Sequence, residues 1–297
     1  MNKSLPLVFF GTENFSLPSL EALISGGYNV AAVVTRPDSR RGRGQRINEP
    51  AVKKLAQAAG IKLIQPLVFD DDLLKKLASL RPEAGVLVAY GKIIPQKVLR
   101  QFKTGIINAH PSLLPKYRGP SPIESAILNG DRTTGITIMR LSESMDAGPI
   151  YAQKTYGLSG NETRPALYGE LAKLAADLLL EYLPAILGGK IQPVAQNEVA
   201  ASYCKLLSRV DGIINPKRET AEQIERKVRA YLGYPKTRLR LLSHPVVITR
   251  AHPAGLPAES PLVIKCANNT FLAIDELIAP SGRRVSGADF LRGYRPL

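Results

Sequence analysis

Four short, nearly unbroken apolar runs constrain this chain more than any other feature: "LPLVFFG" at 5–11, "NVAAVVT" at 29–35, "AGVLVAYG" at 84–91 and "TGIINAH" at 104–110. A strand with one wet face alternates polar and apolar residues, so runs without alternation belong to strands covered on both faces. The intervening stretches have helical spacing. "SLPSLEALISGG" (16–27) closes on glycines, "PAVKKLAQAAG" (50–60) ends on one, and "DDDLLKKLASL" (70–80) opens with acids suited to a helix N-terminus. Strands alternating with helices predict an α/β unit with a mainly parallel sheet and helices on both faces. Such sheets bind ligands beyond the carboxyl ends of their strands.

A long amphipathic helix is expected from about 163 to 187, closed by "GG". The next stretch, "IQPVAQNEVAASYCKL", has no period and reads as a linker. One helical pattern follows at 220–233, with Thr220 as its N-cap. Short strands with the hairpin loops "ANNT" and "PSGR" complete a smaller β-rich unit, expected as a barrel. The expected division is residues 1–189, a linker at 190–205, and 206–297.

Charge narrows the class of partner. The 297 residues carry 40 Lys plus Arg against 25 Asp plus Glu, a net charge of +15, which attracts polyanions. The opening apolar run is too short for a secretory signal or a membrane span, so a cytoplasmic protein without a membrane partner is expected. Cys204 and Cys266 lack metal-ligand spacing and read as reduced thiols, and no metal is expected.

The candidate chemistry lies in "INAHPSLLPKYRG" (107–119). Asn108 and His110 stand two residues apart at a strand end and project to one face. Asp146 follows the strand "TTGITIMRL" in the loop "SESMDAGP". A carboxylate beside an imidazole fixes its tautomer, and a neighbouring Asn can donate to a developing oxyanion, which suits acyl transfer through a tetrahedral intermediate. The competing reading leaves Asn108 and His110 as strand caps and Asp146 as a turn residue. Ser112 is a conceivable nucleophile, but "HPSLLP" is no strand-turn-helix elbow, which favours direct attack without a covalent enzyme intermediate.

The loop "TRPDSRRGRGQRINEP" (35–50) concentrates Arg36, Arg40, Arg41, Arg43 and Arg46 among glycines. Its composition predicts a flexible arm, either simply solvated or contacting a phosphate backbone that would relieve the mutual repulsion of five guanidinium groups. Since it follows the second strand, it leaves the sheet on the same rim as His110.

Six motifs in order carry a resemblance along essentially the whole chain: "FFGTENFSLPSLEALI", "VVTRPD…GRG", "VLVAYGKIIP", "NAHPSLLPKYRGPSPIESAILNGD", "TGITIM…MDAGPI" and "SGADFLRGYRPL". The sequence resembles the methionyl-tRNA formyltransferase family of folate-dependent enzymes. The resemblance implies a Rossmann-like catalytic domain and an OB-like C-terminal β-barrel. It implies formyl transfer from 10-formyltetrahydrofolate to the α-amine of initiator methionyl-tRNA, supplying formylmethionyl-tRNA for translation initiation. It implies that Asn108, His110 and Asp146 are catalytic, and that Ser112, Leu113, Leu114 and Pro115 contact folate. Val88, Ala89, Tyr90 and Gly91 would wall the pterin pocket, the arginine loop would reach the tRNA acceptor end, and the enzyme would be a monomer.

The sequence departs from the family pattern at Pro111, at "PSPI" after "YRG", and in having no Trp. Two other readings stay open at this point. One is a formyltransferase acting on a glycinamide nucleotide or amino sugar; the other is a non-catalytic tRNA binder on a decayed enzyme scaffold.

Overall fold

The computed structural model describes residues 3–41, 46–255 and 260–294. Its elements are, in chain order, β1 (Leu7–Gly11), α1 (Leu17–Ser25), β2 (Val30–Val34), β3 (Ser39–Arg41), β4 (Arg46–Asn48), α2 (Ala51–Ala58), β5 (Lys62–Ile64), α3 (Asp71–Ser79), β6 (Ala84–Val88), α4 (Gln96–Leu99) and β7 (Ile106–His110). There follow α5 (Pro122–Asn129), β8 (Thr133–Arg140), β9 (Ile150–Gly157), α6 (Arg164–Leu187), α7 (Ala221–Ala230), β10 (Thr237–Leu241), β11 (His244–Ala254), β12 (Val263–Lys265), β13 (Phe271–Ile278), β14 (Arg284–Ser286) and α8 (Gly287–Gly293).

Packing divides these elements into two units. The first comprises 1–120, 134–156 and 168–204; the second comprises 121–133, 157–167 and 205–297. In the first, a seven-stranded sheet runs β5-β2-β1-β6-β7-β8-β9. β5, β2, β1, β6 and β7 are mutually parallel, and β8 pairs antiparallel to β7. Every residue of β1 and of β7 is buried, as their unbroken apolar character requires. Val8 and Phe10 pack with Leu73 and Leu77 of α3 and Val98 of α4, while Phe9 points to the opposite face. Asp70 caps α3 by accepting from the Leu73 N–H at 2.9 Å, as the acids of "DDDLL" suggest.

The arginine loop is not a slack arm where it is described. β3 and β4 form an antiparallel hairpin with Arg41 opposite Arg46, and its base is tied by Lys53 bridging Asp38 (2.5 Å) and Glu49 (2.7 Å). Backbone pairing needs no apolar pattern, which is why composition conceals it. Arg43 lies outside the described residues.

In the second unit, β10-β11-β13 form an antiparallel ladder, and β12 and β14 pair with the first and second halves of β13. Ile224 and Val228 of α7 and Phe290 of α8 close its core against Ile248, Leu272 and Ile274. The Thr220 hydroxyl accepts from the Gln223 N–H, and the Gln223 side chain accepts from the Thr220 N–H, a reciprocal cap. Thr220→Ala is expected to lower stability by about 1 kcal/mol, read as a shifted urea midpoint with unchanged slope. Among the described residues, no helix is long and apolar enough to cross a membrane.

Candidate active site

The parallel strands β2, β1, β6 and β7 deliver their carboxyl ends to one rim. There, β6 continues into Ala89 and Gly91, which adopt φ of 46° and 74°. The Ala89 carbonyl accepts from the Thr12 and Glu13 N–H groups (3.2 and 3.4 Å), and the Tyr90 carbonyl accepts from the Thr12 hydroxyl (3.0 Å). The Gly91 carbonyl accepts from Arg36. The carbonyl oxygens of Ala89, Tyr90 and Gly91 thus each accept a hydrogen bond within the rim. The Tyr90 ring is fully buried against Phe10 and Phe69, and burial pushes its phenol up to about 12.

β7 reaches the rim with Asn108 opposite Met139 and His110 opposite Thr137 of β8. Both polar side chains are 5% exposed. Among the described residues, the Asn108 side-chain amide has no hydrogen-bond partner. His110 Nε2 lies 3.0 Å from the Tyr117 carbonyl oxygen, which can only accept, so this nitrogen carries a proton. The other ring nitrogen, Nδ1, lies 3.7 Å from Asp146 Oδ2. This spacing is long for a hydrogen bond.

Asp146 reaches this position with φ of 49°, in the left-handed region. Two glycines allow it. At Gly148 a Cβ would overlap the Arg140 carbonyl oxygen; at Gly119, φ of 116° aims the N–H at Asp146 Oδ2, which accepts at 2.8 Å.

The turn after β7 is equally well tied. The Ser112 hydroxyl donates to the Lys116 carbonyl at 2.6 Å, and the residue is 1% exposed, which removes Ser112 as a nucleophile. The Leu114 N–H donates to the Thr137 hydroxyl, the Leu114 carbonyl accepts from Gln153, and the Pro115 carbonyl accepts from the Ser202 N–H. Ser112–Pro115 therefore offers apolar surface, with few free polar groups.

Sequence reasoning missed Arg118, Gln196, Glu198 and Tyr203. Arg118 is 1% exposed; its guanidinium donates to both Glu198 carboxylate oxygens (2.8 Å each), to Gln196 Oε1 (3.0 and 2.8 Å) and to the Tyr203 hydroxyl (3.1 Å). The Glu198 carboxylate holds the guanidinium above its ordinary pKa and is itself held below the usual carboxylate value by it. The segment read as a linker is thus fastened along the turn: the Arg118 N–H donates to the Ser202 carbonyl and the Cys204 N–H to that of Arg118. The one available signal was the arginine in "KYRG", whose partners stand about eighty positions away.

A cavity of about 480 Å³ is lined by Leu99 and Arg100, by Ile106 at the start of β7, and by Arg140, Leu141 and Ser144. Neither the trio nor residues 88–91 and 112–115 line it. Residues 141–144 form its wall just before the chain turns to present Asp146 to His110. Among the described residues, no three His, Cys, Asp or Glu side chains gather where a metal ion could sit.

The family model described as "Formyl transferase" matches residues 4–183, and that of the "Formyl transferase, C-terminal domain" matches 207–295. A methionyl-tRNA formyltransferase of Roseiflexus castenholzii is 40% identical over 98% of this chain and 97% of its own length. The one from Halorhodospira halophila is 37% identical over 97% and 96%. Among solved structures, HypX from Aquifex aeolicus in complex with tetrahydrofolic acid superposes with a TM-score of 0.65 at 19% identity, covering 99% of this chain and 48% of that one. WlaRD, a sugar 3N-formyl transferase, gives 0.66 at 20% identity, covering 91% and 97%. These two share the fold alone. The near-full-length relatives and both family models show that the chain belongs to the methionyl-tRNA formyltransferase family of formyl-transferring enzymes.

Proposed function

We propose that the protein formylates the α-amine of initiator methionyl-tRNA, with 10-formyltetrahydrofolate as donor. The observation that carries this reading is the convergence of the Asn108 amide, which has no partner among the described residues, His110 Nδ1 and the Asp146 carboxylate on one rim. The donor supplies an activated formyl group, and the chain orients it and moves the proton. The cavity walled by Leu99, Ile106 and Leu141, with Arg100 and Arg140 among its lining residues, suits a flat heterocycle bearing an anionic tail. Val88–Gly91 and Ser112–Pro115 are assigned to the folate as well.

In this mechanism the neutral amine attacks the formyl carbon directly. The Asn108 amide donates to the oxygen as charge develops there. His110, with Nε2 held by the Tyr117 carbonyl and Nδ1 facing Asp146, receives a proton on Nδ1 and delivers it to the departing nitrogen. Asp146 stabilises the imidazolium between the two steps. No metal participates.

Arg36, Arg40, Arg41, Arg43 and Arg46 are assigned to the tRNA acceptor end, together with the basic C-terminal part, 206–297. Residues 1–189 are assigned to catalysis, and the enzyme is taken as a cytoplasmic monomer. The support is the net charge of +15 and a hairpin that leaves the sheet after β2, the side on which His110 also ends. Arg43→Ala is expected to raise KM for the charged tRNA severalfold and leave the folate Kd unchanged. Its loss should also flatten the salt dependence of tRNA binding by about one unit of slope. Equal weakening of folate and tRNA would remove the hairpin from the tRNA interface.

A further inference from the structure

We propose that Arg118 and Gln196 are positioning residues for the transfer, forming a buried clamp that sets the spacing between the His110 ring and the Asp146 carboxylate. The proposal rests on the reading of that pair as the proton-handling centre and adds to it the device that holds the two together.

Two of three consecutive residues touch the pair from one side. The Tyr117 carbonyl accepts from His110 Nε2, the Gly119 N–H donates to Asp146 Oδ2, and between them the Arg118 side chain runs to Gln196. Gln196 completes the circuit. Its Nε2 donates to the Asp146 carbonyl at 2.8 Å and to the Gly148 carbonyl at 2.7 Å, so one amide grips the backbone on both sides of the left-handed turn. Its Oε1 accepts twice from Arg118, which fixes the orientation of the amide, since a guanidinium can only donate. Arg118 is in turn held by the Glu198 carboxylate in a two-point fork.

The physical case is one of strain and geometry. A non-glycine residue at φ of 49° has other conformations within easy reach, and in them the Asp146 carboxylate leaves His110. The two carbonyls gripped by Gln196 are the groups whose rotation would accompany that departure. Lysine would not serve at 118, because its point charge cannot present the planar fork that meets Gln196 and Glu198 together.

Gln196→Glu tests this directly. It keeps the shape and the pairing with Arg118 but replaces the amide donor with a carboxylate oxygen facing two carbonyls. The expected result is a fall in kcat of about 100-fold, the cost of roughly 1 Å of misplacement, with KM for both substrates little changed. A second readout needs no turnover. The chain has three histidines, so ring-nitrogen NMR of ¹⁵N-histidine protein gives three ring systems, with His110 assigned by its absence in His110→Asn. Gln196→Glu should move the His110 Nδ1 resonance at fixed pH and leave those of His244 and His252 in place.

Gln196→Met, which removes the donors without adding charge, should do the same. It serves as the second variant if Gln196→Glu fails to fold. An unmoved His110 resonance overturns the proposal whatever happens to kcat, and a moved resonance with unchanged kcat overturns the catalytic part of it. If the wild-type enzyme formylates some other amine, the NMR result stands independently, so the two readings fail separately.

Discussion

Replacing Asp146 with Asn is expected to lower kcat by about 10³-fold while leaving folate and tRNA binding nearly intact. The magnitude follows from the worth of positioned acid–base groups, about 10²–10⁴-fold. Asn keeps the volume and the N–H partner at Gly119 but cannot stabilise an imidazolium at His110 Nδ1, 3.7 Å away. Single-turnover formyl transfer followed beside equilibrium tRNA binding measures the separation. A loss of binding equal to the loss of rate would show that Asp146 supports the loop and not the chemistry. Unchanged turnover would return the site to strand caps and turn residues.

Asn108→Ala carries the second large effect. With no partner among the described residues, the Asn108 amide has no internal structure to hold, so its removal should cost little stability. It removes the donor placed for the developing oxyanion, and kcat should fall by about 10²–10³-fold with KM nearly constant. A KM effect alone would make Asn108 a uniform binding contact. Thermal midpoints of the two variants within a few degrees of wild type would confirm that the rates report chemistry.

The two effects differ in origin, and so does their legibility in the sequence. Asn108 and His110 were readable because a strand has a period of two and a parallel sheet gathers its carboxyl ends on one side. The apolar runs that gave β1, β2, β6 and β7 are local patterns, as are the acids that cap α3 and the Thr220 N-cap. Asp146 became a candidate through its place in the loop after the strand "TTGITIMRL"; its φ of 49° and the glycines that permit it appear only in three dimensions.

The clamp was not legible at all. Arg118 meets Gln196 and Glu198 across some eighty residues, through side-chain hydrogen bonds that impose no period on the chain. For the same reason 190–205 read as a linker, although its polar groups are bonded to the turn after β7. The β3–β4 hairpin was hidden differently, since its pairing is made by backbone and a salt-bridged base under a composition that signals only charge. The cavity walled by 141–144 combines residues from α4, β7 and β8 that carry no common motif.

The most direct test of the central claim is formyl transfer from 10-formyltetrahydrofolate to charged initiator Met-tRNA, run beside free methionine, an amino-sugar nucleotide and glycinamide ribonucleotide. The expected result is formylation of the charged tRNA alone, abolished by high salt. Transfer to a small amine with none to the tRNA would contradict it, leaving the trio its chemistry and the arginine hairpin without its substrate.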